Sequence, residues 1–326
     1  MNTKQKLRLY LYMKKTKNFW FRVSLVCSFV SVLCLLPLAT RAAILYLTPS
    51  EDSYSRGETF VEEIRLDTEG EDINTVKVDL NYPKDTLEIV DFSDGGSVLT
   101  LWVEKPTINN QQTTDDRQQG LISLTGGIPN GFKGKGLIGK IIFRVHETGT
   151  KQERETDTKL EFLGGTQVLL NDGKGTIAKL TTTGAIFEIL AQEPESLKDN
   201  WQEILKKDNI PPESFEIIIS NDPSIFDGKY FISFWTQDKE SGVDYYEVKE
   251  GAGNWEKNIS PYMLQDQSLK SIIKVKAVDK AGNERIEILK PKGNIFLGWL
   301  VYVSIGLIVI WIMYRGIKNK IFKKPR

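Results

Sequence analysis

Between Ala43 and Leu190 apolar and polar residues alternate in short runs broken by turn residues. In Ile73 to Tyr82 (INTVKVDLNY), Val76, Val78, Leu80 and Tyr82 fall on one face while Lys77, Asp79 and Asn81 fall on the other. That period of two is the mark of a half-buried strand. Similar runs at 43–47, 58–66, 97–103, 120–126, 137–145, 158–162 and 184–190 predict further strands, and their spacing predicts a β-sandwich. Glycine pairs and Asn171-Asp172-Gly173 supply the corners. The polar run 106–119 has almost nothing to bury and reads as a surface loop.

The period changes at Glu193 to Asn209, where Leu197, Trp201, Ile204 and Leu205 form a helical stripe. Acids lead and lysines close this segment, as the helix dipole favours, and Ile210-Pro211-Pro212 ends it. Alternation then resumes from Glu213 to Lys290, in FEIIIS, KYFISFWTQD, VDYYEVKE, SIIKVKAVD and ERIEIL. About 78 residues suit one small immunoglobulin-like sandwich. Ile273, Val275 and Ala277 alternate with Lys274 and Lys276, which places those lysines on the solvent face. Asp279 to Asn283 then forms a hairpin turn, with Gly282 or Asn283 free to turn left-handed.

Two long apolar runs stand apart from this pattern. Val23 to Leu38 follows a lysine-rich start and precedes small residues, which reads as a signal peptide over 1–42 cleaved after Ala42, with an uncleaved anchor as the alternative. Ile295 to Tyr314 is twenty residues without a charge, long enough to span a hydrocarbon core, with Trp299, Tyr302, Trp311 and Tyr314 toward its ends. The whole chain balances 43 basic against 43 acidic residues. Eight basic residues in 1–42 and six in 315–326 leave the stretch between them with 29 against 43. The basic tail 315–326 predicts a cytoplasmic C-terminus, an outward-facing acidic bulk and a single-pass cell-membrane protein. That acidity also argues against nucleic acid as a partner. Cys27 and Cys34 both lie in the signal segment, so the exterior is expected to carry no disulfide and no thiol chemistry.

Residues 43–190 resemble a cohesin domain. The resemblance rests on AILYLTP, on Gly57-Glu58, on VKVDLNYPKDTLEIVDF, on GLIGKIIFRV and on VLLNDGKGT at 168–176. It implies a jelly-roll-like sandwich with a docking role, and related carbohydrate-binding modules share that sandwich, so a protein and a glycan both remain open as ligand. VKAVDKAGN and DKESGVDYYEV resemble segments of bacterial surface immunoglobulin-like domains. If the cohesin resemblance extends to the docking face, the sheet holding 73–82, 97–103, 120–126 and 158–162 presents Lys77, Asp79, Asn81, Thr100, Trp102, Ser123, Thr125 and Glu161. Trp102 has two readings: an exposed anchor, or a residue that a bulge returns to the core.

Chemistry is scarce. His146 is the one histidine, expected on an outward strand face with Lys140 and Arg144, which leaves no base for a triad and no histidine metal site. Glu62-Glu63 and Asp115-Asp116 read as solvated acids, and Asp238, Glu240 and Asp244 are the best calcium candidates. GFKGKGLIGK lacks the ending of a phosphate loop and runs into a strand. The expectation is an all-β protein: sandwich 43–190, linker helix 191–212, sandwich 213–290, membrane helix 295–314. It is not an enzyme, needs no cofactor unless weakly held calcium, and binds a dockerin-like protein or a polysaccharide outside the cell. The alternatives are a structural stalk without a specific ligand and a surface glycosidase acting through paired acids.

Overall fold

A computed structural model describes residues 42–106, 119–146, 157–190, 197–291 and 295–321, without side chains at 157, 295–301 and 316–321. The expected signal segment, Asp115-Asp116 and nearly all of the polar run lie outside the described residues. Twelve strands make the first half: β1 (Ala43–Thr48), β2 (Glu51–Ser55), β3 (Thr59–Asp67), β4 (Ile73–Pro83), β5 (Leu87–Ser93), β6 (Leu101–Glu104), β7 (Gln119–Phe132), β8 (Lys135–Val145), β9 (Asp157–Phe162), β10 (Gln167–Leu170), β11 (Leu180–Thr183) and β12 (Ala185–Leu190). They form a five-stranded sheet, β11-β1-β3-β8-β5, and a seven-stranded sheet, β2-β12-β9-β4-β7-β6 with β10 also on β4. The two sheets enclose one core.

Side-chain alternation builds that core. Leu45 and Leu47 of β1, Phe60, Ile64 and Leu66 of β3, and Val76, Val78 and Leu80 of β4 are all buried. Phe60 is its aromatic centre, stacked on Tyr54 at 3.9 Å and edge-on to Phe187 at 5.2 Å. Removing such a ring costs about 3–5 kcal/mol, so these contacts hold the two sheets together.

The expected strand 97–103 is a crossover instead. Ser97 bridges Leu137 of the five-stranded sheet, whereas Thr100 N–H donates to the Gly127 carbonyl of the seven-stranded sheet. A segment passing between sheets cannot keep one parity, and β6 begins only at Leu101.

The helix is shorter than its sequence pattern. α1 (Asn200–Lys207) starts where the Asp199 side chain accepts from the Gln202 N–H at 2.9 Å. Residues just before it are held extended, because the Lys198 carbonyl accepts from the Thr59 N–H. Trp201 is buried, and Leu197, expected on the apolar stripe, is exposed.

After α1 come β13 (Ile218–Asp222), β14 (Ile225–Ser233), β15 (Val243–Glu250), β16 (Glu256–Asn258), β17 (Tyr262–Met263), β18 (Ile273–Asp279) and β19 (Glu284–Leu289). A three-stranded sheet, β13-β14-β17, and a four-stranded sheet, β16-β15-β18-β19, enclose a second core around Ile232, Phe234, Val248, Ile273 and Val275. Gly282 does adopt a left-handed conformation, at φ 89°, in the turn between β18 and β19. Lys276 is not simply solvated, since it pairs with Glu247 at 2.8 Å and lies over the Trp255 ring.

The two halves are in direct contact. Lys140 of β8 donates to the Glu240 carbonyl at 2.6 Å, Ser93 Oγ donates to the Ser241 carbonyl at 2.6 Å, and Lys280 pairs with Asp91 at 2.8 Å. Gly95 marks how close they are, because a Cβ there would stand 2.3 Å from the Glu240 carbonyl oxygen. This contact corrects the expectation that Lys140 is solvated: it is only 9% exposed.

The last described element is α2 (Ile295–Ile321). Among the described residues no helix is long and apolar enough to cross a membrane. The side chains described in α2 run from 302 to 315, and its apolar ones there, Tyr302 and Leu307 to Tyr314 among them, are exposed.

Candidate functional site

The eight residues expected on one docking face divide between two places. Lys77, Asp79 and Asn81 of β4 project outward from the seven-stranded sheet, as does the β7 pair Ser123 and Thr125. Register sets Lys77 beside Thr125, Asp79 beside Ser123, and Asn81 between Glu161 of β9 and Leu121 of β7. Six of the eight therefore share one surface.

Hydrogen bonding separates the structural members of that surface from the free ones. Asp79 accepts from Ser123 Oγ at 2.8 Å and pairs with Lys77 at 3.3 Å. Its backbone is tied on both sides to the Thr166 hydroxyl, and a Cβ at Gly165 would collide with its carboxylate. The turn 163–166 thus half covers Asp79 and leaves it little freedom to meet a ligand. Asn81 reaches Gln119 of β7 at the rim. Glu161 stays exposed.

Parity reasoning missed the apolar members of this face. Leu121 is 44% exposed in the same row as Asn81 and Glu161. Leu101, 56% exposed, pairs with Gly127 and lies alongside it. Leu121 could have been found from sequence, since it shares the parity of Ser123; Leu101 could not, because the crossover before β6 resets the alternation.

Thr100 and Trp102 lie elsewhere. Trp102 packs on the core, edge-on to Phe92 at 5.5 Å, and the crossover before β6, rather than a bulge, sets it inward. The register shift falls between Trp102 and Glu104. Its remaining surface, with Thr100, lines a cleft of about 810 Å³ between the two halves. Trp235, 45% exposed, and Tyr245 face that cleft from the second half, where Lys257 sits 3.5 Å from the Tyr245 ring centre.

The acids are also rearranged. Glu62 and Glu63 do not form a pair, because neighbours on a strand point to opposite faces. Glu63 faces out and binds Arg65 at 2.7 Å. Glu62 is fully buried, neither of its carboxyl oxygens has a hydrogen-bond partner among the described residues, and burial followed by the charges of Glu63 and Asp52 pushes its pKa up to about 9. It is a neutral acid in the core, against the expectation of a solvated one. A generous reading of β3 shows this, since Phe60, Glu62, Ile64 and Leu66 share parity.

Asp238, Glu240 and Asp244 do not converge. Asp244 is exposed, and Glu240 turns its backbone carbonyl to Lys140. Asp238 instead meets Asp208 at the end of α1 and Asp279 at the end of β18. His146 is half-buried, with its ring 3.1 Å from the Lys84 carbonyl.

No family model matches this chain, and no curated protein does. Among solved structures it is similar to a non-cellulosomal cohesin from Archaeoglobus fulgidus, 19% identical over 47% of this chain and 94% of that one, with a TM-score of 0.35. It is also similar to a type I cohesin from Pseudobacteroides cellulosolvens, 18% identical over 48% and 96% with a TM-score of 0.35. A type I cohesin–dockerin complex from Clostridium thermocellum aligns at 13% identity over 45% and 93%, with a TM-score of 0.36.

Proposed function

We propose that this protein is a membrane-anchored binding protein of the cell surface whose first sandwich takes a protein partner on the outer face of its seven-stranded sheet. The observation that carries the reading is the row Glu161-Asn81-Leu121 with Leu101 nearby. There exposed leucines stand among polar groups on the outer sheet surface, beside the end that the 163–166 turn half covers at Asp79. Apolar anchors inside a polar rim are what a protein interface requires. The sequence resemblance of 43–190 to cohesins supports the same reading. The twenty charge-free residues from Ile295 and the basic tail after them support an anchor that leaves the bulk of the chain outside.

The test uses the full chain as bait against the envelope and secreted fraction of its own organism. Leu121→Glu combined with Leu101→Glu should abolish retention of the captured protein while leaving the thermal midpoint unchanged, and Trp235→Ala should retain it. Undiminished capture by the leucine double variant would refute the docking face.

A glycan is the second reading, favoured by the cleft that Trp102 and Trp235 line. It predicts polysaccharide retention that Trp235→Ala removes and the leucine substitutions do not. Capture of neither a protein nor a polysaccharide would leave the structural stalk as the better description.

A further inference from the structure

Three aspartates from separate segments meet where the two halves join. Asp208 caps the C-terminal end of α1, Asp238 lies in the loop between β14 and β15, and Asp279 ends β18. One oxygen of each lies within 4.8 Å of the others, and all three residues are buried.

Their hydrogen bonds come from neutral donors. Asp208 accepts from the Ile210 and Ser241 N–H groups, Asp238 Oδ1 from Glu240 and Gly242, and Asp279 from the Asn283 amide and side chain. Among the described residues no Lys or Arg nitrogen comes within 4.0 Å of these carboxylates. Lys140 donates a hydrogen bond to the Glu240 carbonyl instead. Three acids therefore crowd together in a place with little water to screen them.

Two further atoms point to a ligand. Asp238 is 3% exposed and its Oδ2 has no hydrogen-bond partner among the described residues; Ser241 is fully buried and its Oγ has none among them either. Ser241 belongs to the cluster, since its N–H binds Asp208 at 3.1 Å. A buried charge is stable only when paired or bound to a metal. The donors are all oxygens, with no histidine or thiol, which selects a hard cation over zinc or copper.

We propose that Asp208, Asp238 and Asp279, with Ser241 alongside, bind a divalent cation of the calcium class that pins the second half of the exterior to the first. The loop that supplies Asp238 is also the loop that docks: the Asp238 carbonyl accepts from Gly96 N–H at 2.9 Å, and the Ser241 carbonyl accepts from Ser93 Oγ. Ordering that loop around an ion orders the junction. The site shares no residue with the face proposed to bind a protein, so either can fail without the other.

The experiment takes the full-length protein in detergent, stripped by a chelator, with Ca2+ as the only added ligand, and reads calorimetric binding and thermal midpoint. Saturable binding of one ion per chain with a raised midpoint is expected, weakened at least about tenfold by Asp238→Asn, which removes charge from the lone oxygen. Should that variant fail to fold, Ser241→Ala and Asp208→Asn carry the same expectation. Absence of both saturable heat and a midpoint shift at millimolar Ca2+ in the wild type would overturn the proposal. Binding by the folded variants as tight as wild type would overturn it too.

Discussion

The first sandwich has two outer faces built by the same alternation, and they meet different fates. On the seven-stranded sheet Lys77 stays partly exposed and pairs with Asp79. On the five-stranded sheet Lys140, equally outward by parity, is buried beneath the loop 238–242. β8 is consequently buried on both sides, apart from Lys135 and Arg144. Outward on a strand therefore means away from one's own core, and a second domain decides whether it also means solvent.

Glu62 gives the largest expected effect, because it lies between the two faces. Its folded pKa, about 9, is above the ordinary carboxyl value, so its neutral form is favoured in the folded state. The associated stability is full below the unfolded value near 4.3 and is lost as pH rises toward 9. Urea unfolding should show stability falling by up to about 1.4 kcal/mol per pH unit between about pH 5 and 8. Glu62→Gln should remove most of that slope. An unchanged slope in the variant would mean that Glu62 does not titrate in this window.

Gly95 tests the covered face. Its added Cβ would meet the Glu240 carbonyl oxygen at 2.3 Å and the Gly242 nitrogen at 2.7 Å, both backbone atoms that cannot swing aside. Gly95→Ala should cost about 1–3 kcal/mol, read by denaturant unfolding, and should expose the 238–242 loop to proteolysis.

The open face should show the smallest change. At Gly127 the nearest atoms to an added Cβ are 3.5–3.9 Å away, ordinary contact distances. Gly127→Ala should stay within about 0.5 kcal/mol of wild type. A large loss there would show that the face is covered after all, and would break the contrast with Gly95.

Much of the fold was legible before any coordinates. β4, β15 and β19 follow the sequence pattern closely, and strands 73–82, 120–126 and 158–162 do lie in one sheet. Local alternation is enough for these, since each half-buried strand carries its own record of which side faces the core. The short strands β2 and β11 left no such record, being five and four residues with little apolar content, and β10, QVLL, is too short and uniformly apolar to show alternation. The candidate face was half legible: its polar members followed from parity, whereas the crossover at 97–100 hid Leu101 and turned Trp102 inward.

What the residues determined alone is the part governed by near neighbours: strand period, turn glycines such as Gly282 and the prolines past the helix end. What only the tertiary structure decided is the part made by distant segments. Asp208, Asp238 and Asp279 lie tens of residues apart, and no spacing rule joins them, yet packing brings their oxygens within 4.8 Å. Lys140 became buried for the same reason, because burial of an outward residue depends on what arrives from elsewhere in the chain.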